Sequence, residues 1–347
     1  MNSNQMSSNQ LNKEAVWEFW QAQESASAAE LPEVIKAVTA SNIKWFGPDP
    51  INALPDIESY IEDYWRPLNQ AFPDLKRQTH IFIGGQSNGR VDGTDDGQEW
   101  VGATGYLSGT FANDWLDIPA SGKKARIRWG EFCLIENGKI VTVYLLLDLI
   151  DLMQQAGIYV LPPALGKDHH YPPPKDGPAI LLDAQNEIES ARSLALIREF
   201  LFESLNSYDQ SELQSMGVAQ YFTQDVQWYG PGGIGACLGL KEFEELHQKP
   251  WLTAYPDRQV QDLDNLFAEG DYSGTSGWGA VKATHAGPYL GCPATGNTIV
   301  TNGIDFWRRR DDKFIENWVF VDMIHLFRQF GIDLMERMRS RAFHTRD

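Results

Sequence analysis

The chain has 347 residues, of which 42% are hydrophobic and 22% are charged, and its formal net charge is -18 at pH 7. This length and composition are typical of a globular protein with two or three domains, each large enough to bury its own core. The acidic excess repels phosphate backbones and anionic membrane surfaces, which argues against nucleic acid or a membrane as a partner.

The N-terminal residues 1–12 are rich in Asn, Ser and Gln, which predicts a disordered tail. They lack the basic start and apolar core of a signal peptide. The longest apolar run, residues 141–153, contains two aspartates and is shorter than the roughly 20 residues of a membrane span. Cys133, Cys237 and Cys292 have no CxxC spacing and are typical of free thiols. We therefore expect a cytoplasmic protein without a membrane segment or a zinc site.

Residues 13–160 are predicted to form a first domain in which helices precede strands. Apolar side chains at helical spacing lie on both sides of a short strand that ends at Gly47-Pro48. Four strand candidates follow, the last two joined by a hairpin turn at residues 136–139, and a short helix ends at Gly157. This order is typical of an α+β arrangement with a mainly antiparallel sheet.

Residues 161–183 are rich in proline and non-periodic, and they are predicted to be a linker or strap that does not pack. Adjacent histidines in such a loop, here His169 and His170, are more often solvated than bound to metal. Residues 184–347 then repeat the order of the first domain and are predicted to form a second one.

The repeat is an internal duplication. Asp148 and Asp322, each between an apolar strand and a helix, lie 174 residues apart, whereas Trp45 and Trp228, each before a Gly-Pro turn, lie 183 apart. The two offsets differ by nine residues, and insertions belong in loops. Residues 88–97 are therefore predicted to be an extra loop of the first domain.

Asp148 and Asp322 are the leading candidates for acid/base chemistry. Because alternate residues of a strand share a face, Asp322 is expected to share an aromatic face with Trp318 and Phe320, and Asp148 with Tyr144. Burial on such a face raises the pKa of a carboxyl group and suits it to proton transfer. The alternative is a helix N-cap, and the two roles are compatible.

Other residues are candidates with structural alternatives. His285, on a strand, could donate a proton or be a satisfied structural group, and Leu107 is predicted to match it in the first domain. Asp305 could bind a ligand or face solvent. Four tryptophans could shape a pocket, although core packing is the commoner role: Trp45, Trp228, Trp278 and Trp318. No Gly-rich phosphate loop, HExxH or CxxC motif is present, so no cofactor or metal is predicted.

The segments that carry a family resemblance are THAG at 284–287, CPATGN at 292–297 and LFRQFG at 326–331, with IPASGK at 118–123 and LMQQAG at 152–157 in the first domain. Together with the two aspartates, they resemble the SnoaL-like polyketide cyclases, also called predicted ester cyclases, of the NTF2-like superfamily. The resemblance implies a cone-shaped barrel in each half, with helices packed on a curved sheet around a pocket. Because members dimerise through the sheet, the halves would form a pseudo-dimer within one chain, with a homodimer as a further option.

The resemblance also implies a cofactor-independent aldol condensation with Asp322 and Asp148 as acid/base and His285 assisting. Leu107 and Tyr144 stand where the family has histidine and tryptophan, which favours the second half as the active one. The expected function is therefore that of an aldol-type cyclase, or a related lyase, isomerase or hydrolase, acting on a small, largely apolar carbonyl compound. The alternative is a non-catalytic NTF2-like module that binds a small molecule or a protein, in which both aspartates are only helix caps.

Overall fold

The structure is a computed structural model that describes residues 6–27, 29–207 and 217–344. Within these ranges the chain forms two seven-stranded, mostly antiparallel sheets, each packed against helices. The predicted α+β class is confirmed.

The first half begins with two helices and continues into the first sheet. The elements are α1 (Ser8–Ser25), α2 (Leu31–Val38), β1 (Thr39–Phe46), β2 (Ala53–Leu54), α3 (Ile57–Ser59), α4 (Arg66–Ala71), β3 (Lys76–Gln86), β4 (Glu99–Thr110), β5 (Lys124–Glu136), β6 (Lys139–Leu147), α5 (Leu149–Gln155) and β7 (Ala179–Ile180). A π-helical turn, Tyr60–Trp65, joins α3 to α4. The sheet order is β2-β1-β6-β5-β4-β3-β7, with β1 parallel to β6 and the strands from β3 to β6 antiparallel.

The prediction of a disordered tail is wrong for residues 8–12, which lie in α1, while residues 1–5 lie outside the described part. Ser7 caps this helix by accepting a hydrogen bond from the backbone N–H of Gln10, in a capping box that local composition did not suggest. Lys13 of α1 is fully buried and pairs with Glu269 of the second half. The N-terminal helix therefore contributes to the contact between the halves.

The prediction that residues 161–183 do not pack is also wrong. Within them β7 (Ala179–Ile180) adds a parallel strand to β3. The Tyr171 side chain is buried, and its hydroxyl lies 2.7 Å from Oγ1 of Thr104. An aromatic side chain and main-chain pairing thus anchor a proline-rich segment whose average composition is polar.

The second half repeats the architecture. Its sheet has the order β10-β12-β13-β14-β8-β9, and β11 pairs with β12. A π-helical turn, Phe243–Gln248, joins α8 to α9, and another, Glu199–Ser204, follows α6. The elements are α6 (Glu187–Arg198), α7 (Val218–Tyr221), β8 (Phe222–Tyr229), β9 (Ala236–Leu238), α8 (Leu240–Glu242), α9 (Lys249–Ala254), β10 (Gln259–Val260), β11 (Asn265–Glu269), β12 (Tyr272–Thr284), β13 (Thr298–Arg310), β14 (Lys313–Val321), α10 (Met323–Gln329) and α11 (Leu334–His344).

The predicted extra loop is confirmed. Residues 87–98 connect β3 to β4, whereas only residues 270–271 connect β11 to β12. The loop crosses to the second half, where the backbone N–H of Asn88 donates to the carbonyl of Leu266 at 2.7 Å. The insertion is therefore part of the contact between the halves.

The two sheets pack against each other through their outer faces. The rings of Phe132 on β5 and Phe306 on β13 stack with centroids 5.1 Å apart. Gly130 allows this close approach, because a Cβ atom there would come within 2.8 Å of Ile304. Each sheet's other face packs on its own helices, so every central strand is buried on both sides. The domain boundaries at residues 160 and 184 stay a prediction. Among the described helices, none is both long and apolar enough to cross a membrane.

Candidate functional site

The second half contains a cavity of about 150 Å³ between the inner face of its sheet and its helices. Its wall is mostly apolar, with aromatic side chains that include Phe200, Phe222, Trp228, Phe243, Trp251 and Trp307. The structure places Trp228 on this wall, and its contact with a ligand stays a prediction.

The alternation of β13 brings one carboxyl group to the cavity. Gly303, Asp305 and Trp307 line it, whereas Ile304 and Phe306 point to the other sheet. Gly303 has no side chain, and a Cβ atom added there would have only one neighbour within 4 Å, at 3.5 Å. This glycine helps to leave the space in front of Asp305 open.

Asp305 is a half-buried acid on a mostly apolar wall. A hydrogen bond with the Asn317 side chain lowers its pKa slightly, but burial dominates and raises the pKa of Asp305 to about 7. Of the two alternatives that the sequence left open, ligand contact or solvent, the structure places Asp305 on the cavity wall.

His247 is a cavity residue that the sequence analysis missed. Its ring stacks on Trp228 with centroids 3.9 Å apart, and burial together with the nearby Arg258 lowers the pKa of His247 to about 3. The imidazole is therefore neutral at pH 7. The helical spacing of Phe243, His247 and Trp251 was the available signal, because residues four apart share a helix face.

The corresponding space in the first half is filled. Strand register matches Trp129 to Gly303 and Glu131 to Asp305, since these pairs occupy the same positions of β5 and β13. Arg77 packs against the rings of both Trp20 and Trp129, 4.4 and 4.5 Å from their centroids, and lies 3.5 Å from the Glu131 carboxylate. Side chains of the chain itself occupy this position in the first half, whereas the equivalent position in the second half lines a cavity.

Asp322 and Asp148 lie outside this cavity, in equivalent positions where the two halves meet. Asp322 accepts the backbone N–H of His325 at 3.1 Å, which caps α10, and the backbone N–H of Asp49 in the other half at 2.9 Å. Asp148 likewise accepts from Asp151 at 2.9 Å and from Gly232 of the other half at 2.8 Å. Each aspartate thus caps its helix and holds the Gly-Pro turn of the opposite half.

The two aspartates differ in their charge environment. Arg128, which is 1% exposed, lies 3.4 Å from Asp148 and 3.2 Å from Asp151, and it also donates to the carbonyl of Gly230 at 2.7 Å. Burial raises the pKa of Asp148, and the charge of Arg128 opposes this shift. Burial also raises the pKa of Asp322, to about 7.

His169 lies beside the Arg128 cluster, with its Nδ1 atom 2.7 Å from Asp151. This hydrogen bond raises the pKa of His169. Among the described residues, no group of three or more histidine, cysteine or acidic side chains is arranged to hold a metal ion.

The structure does not bring His285 to Asp322 or to the cavity. Its Nδ1 atom lies 3.0 Å from Oγ1 of Thr295, and its ring stacks on Phe330 at 3.9 Å. The predicted match to Leu107 is wrong: the backbone pairing of His285 with Asn297 is that of Phe111 with Lys123. A phenylalanine at the equivalent position identifies a packing site.

Most of the remaining predicted pocket residues lie where the sheets meet. Trp318 is fully buried there and donates its indole N–H to the carbonyl of Pro172 at 2.8 Å. The Tyr144 hydroxyl donates to Asp264 at 2.8 Å, and the Tyr144 ring lies 4.7 Å from that of Trp278. Phe320 packs in the same region and also reaches the cavity wall, whereas Trp45 packs on Tyr64 in the first half's core. The shared face predicted for Asp322, Trp318 and Phe320 is therefore the interface face.

These features define a two-domain α+β protein with an apolar, carboxyl-bearing cavity in one domain. The model of the SnoaL-like polyketide cyclase family matches residues 58–156 and 195–330, which is more than half of the chain. The chain belongs to this family. A search of curated proteins found no match.

Solved structures similar to this chain include a protein described as a putative polyketide cyclase and two described as NTF2-like proteins. IdmH from Streptomyces antibioticus is 16% identical over 42% of this chain and 99% of its own length, with a TM-score of 0.34. TsrD from Streptomyces laurentii is 22% identical over 41% of this chain and 96% of its own, with a TM-score of 0.32. An NTF2-like protein from Burkholderia thailandensis E264 is 19% identical over 42% of this chain and 96% of its own, with a TM-score of 0.31.

Proposed function

We propose that this chain is a SnoaL-like enzyme whose second half uses Asp305 for cofactor-independent acid/base chemistry on a small, largely apolar carbonyl compound. The observation that carries the proposal is the Asp305 carboxyl on the wall of an apolar cavity, with its pKa raised to about 7. A group with this pKa can both accept and return a proton at neutral pH.

The proposed step is enolisation. The ionised Asp305 removes a proton from the carbon next to the carbonyl, and the electrons of the broken C–H bond form the enolate. The protonated Asp305 then returns the proton to carbon. In an aldol reaction the enolate carbon instead attacks a second carbonyl carbon, the π electrons of that carbonyl move to its oxygen, and Asp305 gives the proton to the resulting alkoxide. The apolar wall supports this chemistry because the low dielectric strengthens the hydrogen bonds that the enolate oxygen accepts.

The proposal moves the acid/base role from Asp322 and Asp148 to Asp305. The carboxylates of the first two already accept backbone N–H groups from both halves, which supports a structural role for them. His285 is likewise left with a packing role, because it touches neither Asp322 nor the cavity wall.

Deuterium incorporation tests the proposal without knowledge of the natural substrate. The full chain is incubated in D₂O with acetone, cyclohexanone and 1-tetralone, and exchange next to the carbonyl is followed by proton NMR. We expect catalysed exchange with at least one ketone, and its loss in Asp305→Asn. Asp322→Asn is the matched control and should retain exchange. Exchange that survives in Asp305→Asn, or that disappears only in Asp322→Asn, would refute the role of Asp305.

A non-catalytic small-molecule-binding module is the second candidate. It is favoured by one observation, that both aspartates suggested by the sequence serve as helix caps. In that case ketones would bind in the cavity, as saturation-transfer NMR would detect, without exchange in either the natural chain or the Asp305→Asn variant.

A further inference from the structure

The cavity is much smaller than the pockets that hold drug-sized ligands. Such pockets measure roughly 300–1,000 Å³, whereas this one measures about 150 Å³. An apolar cavity of about 150 Å³ engineered into another protein binds benzene. The volume here therefore matches a ligand with one six-membered ring and not one with fused rings.

Two residues of the cavity wall each carry a buried polar atom without a partner among the described residues. Trp307 and Gln248 are 3% and 8% exposed, and both line the cavity. Among the described residues, neither Nε1 of Trp307 nor Oε1 of Gln248 has a hydrogen-bond partner. Leaving such groups unpaired costs free energy, so a ligand in the cavity that pairs with them would gain affinity.

The two atoms need hydrogen-bonding partners of opposite kinds. The indole N–H of Trp307 needs an acceptor, and the amide oxygen of Gln248 needs a donor. A hydroxyl group supplies both. Asp305, two residues from Trp307 on the same face of β13, is a further acceptor for that hydroxyl when it is ionised.

We propose that the natural ligand of the cavity is a compound with a single six-membered ring bearing one hydroxyl, a phenol or the enol form of a cyclic ketone. This inference rests on the proposed function and narrows its substrate class. The ring packs between the aromatic side chains of the wall, the indole N–H of Trp307 donates to the hydroxyl oxygen, and the hydroxyl proton is donated to Gln248 or Asp305. In the keto form of the same compound, the carbonyl oxygen accepts from Trp307, which keeps the carbonyl in place during enolisation.

Fluorine NMR titration of the full chain tests the inference with three probes. These are 4-fluorophenol, fluorobenzene and 4-fluoro-1-naphthol. We expect 4-fluorophenol to bind about tenfold tighter than fluorobenzene, because two net hydrogen bonds are worth about that factor. The naphthol should bind at least about tenfold more weakly than the phenol, because overpacking a rigid cavity is costly.

Two variants test whether the indole N–H of Trp307 causes the preference for the phenol over fluorobenzene. Trp307→Phe keeps a ring and removes the N–H, and it should reduce the preference for the phenol over fluorobenzene to about threefold. Trp115→Phe is the matched control, because Nε1 of Trp115 is also buried without a partner among the described residues, but Trp115 lies outside the cavity. It should leave the preference unchanged.

Several outcomes overturn the inference: a naphthol that binds as tightly as the phenol, no preference for the phenol over fluorobenzene, no binding of any probe, or an unchanged preference in Trp307→Phe. The two proposals fail separately. Asp305-dependent exchange of a ketone without binding of 4-fluorophenol would refute the ligand class alone. Tight binding of 4-fluorophenol without such exchange would support the ligand class and refute the catalytic role.

Discussion

At the scale of single residues, two aspartates have the same raised pKa of about 7 in different surroundings. Asp305 faces an apolar cavity, whereas Asp322 accepts two backbone N–H groups. Both retain a proton in the folded state at pH values where the unfolded chain, with an ordinary aspartate pKa of 3.8, has lost it. Each therefore makes the stability of the fold depend on pH.

The sign of this dependence at Asp322 is opposite to that of an ion-paired carboxylate. Below pH 3.8 the group is protonated in both states, and between 3.8 and about 7 the folded state binds more protons, so stability falls as pH rises. The loss for a shift of this size is on the order of 4 kcal/mol. We expect Asp322→Asn to flatten the fall in urea midpoint between pH 5 and pH 8.

Asp74 offers a control for this prediction. Asp74 is exposed, and its hydrogen bond with Lys124 lowers its pKa. Asp74→Asn should therefore not flatten the fall in urea midpoint between pH 5 and pH 8. If the urea midpoint of the Asp322→Asn variant fell as steeply as that of the natural chain from pH 5 to pH 8, the raised pKa of Asp322 would be wrong.

Arg128 allows a second prediction at this scale. Its guanidinium lies among Asp148, Asp151 and the carbonyl of Gly230, all shielded from solvent. Arg128→Met leaves two buried carboxylates without their cation and should lower the free energy of unfolding by about 3–5 kcal/mol.

Urea denaturation measures this loss, and a triple variant controls for it. Arg128→Met combined with Asp148→Asn and Asp151→Asn removes the uncompensated charges and should recover part of the loss. The second half tolerates a similar arrangement, because Asn302, Asp322 and His325 occupy the equivalent positions. A loss below about 1 kcal/mol in Arg128→Met alone would show that the cluster contributes no net stability.

At the scale of elements, alternation along β14 predicted correctly that Trp318, Phe320 and Asp322 share a face. It could not predict which face lines the cavity, because β14 is apolar on both sides. One side packs on helices and the other on the second sheet, and no periodic pattern distinguishes two buried faces. Alternation alone therefore could not predict that the acid on the cavity wall is Asp305, on the neighbouring strand, and that Asp322 lies at the interface.

The incorrect match of His285 has a different origin. Leu107 lies 178 residues before His285, whereas the offset of 174 residues that relates Asp148 to Asp322 leads from His285 to Phe111, its counterpart in the structure. β12 also contains a register shift between Trp278 and Val281, so the strand has no single offset along its whole length. The loop at residues 88–97 was predictable because it changes the length of the chain between two recognisable anchors.

Gly303 supports a prediction at the scale of a strand. Its backbone is ordinary β-strand, it faces the cavity, and the equivalent residue of β5 is Trp129. We expect Gly303→Leu to fill the cavity and abolish binding of 4-fluorophenol. Stability should be unchanged or increased, because leucine buries apolar surface in existing space and has a higher strand propensity than glycine.

Fluorine NMR measures the loss of binding, and thermal unfolding measures stability. Gly130→Leu is the matched control: it lies next to Trp129 on β5, but its Cβ atom would come within 2.8 Å of Ile304. That variant should be strongly destabilised. A Gly303→Leu chain that still binds the phenol at full affinity would place the binding site elsewhere.

At the scale of the whole molecule, the duplication predicted two halves, and the family resemblance implied that they pack through their sheets. Neither indicated how many segments cross between them. Lys13 of α1 reaches Glu269, the loop at residues 87–98 reaches β11, and Tyr171 of the proline-rich segment lies between the sheets. Such contacts depend on tertiary geometry that local composition does not encode. The sequence therefore predicted a tail at residues 1–12, an extra loop at residues 88–97 and a linker at residues 161–183, without contacts between the halves.

These crossing segments, together with the packed sheets, predict that the halves unfold as one cooperative unit. Phe132→Ala removes a fully buried ring that contacts Phe306 and Phe267 of the second half. The truncation should cost about 3–5 kcal/mol. If the halves are coupled, this loss of stability lowers the protection from hydrogen exchange in both sheets, although the substitution is in the first sheet only.

Hydrogen exchange with mass spectrometry measures this coupling. We expect peptides from β13 and β14 to lose protection by the same free energy as peptides from β4 and β5. Phe314→Ala is the reciprocal control, because Phe314 packs on Phe200 and Phe222 in the core between the second sheet and its helices. It should lower protection in the first sheet as well. Loss confined to the mutated half in either variant would mean that the two halves are separate folding units joined by a contact that each can lose without unfolding.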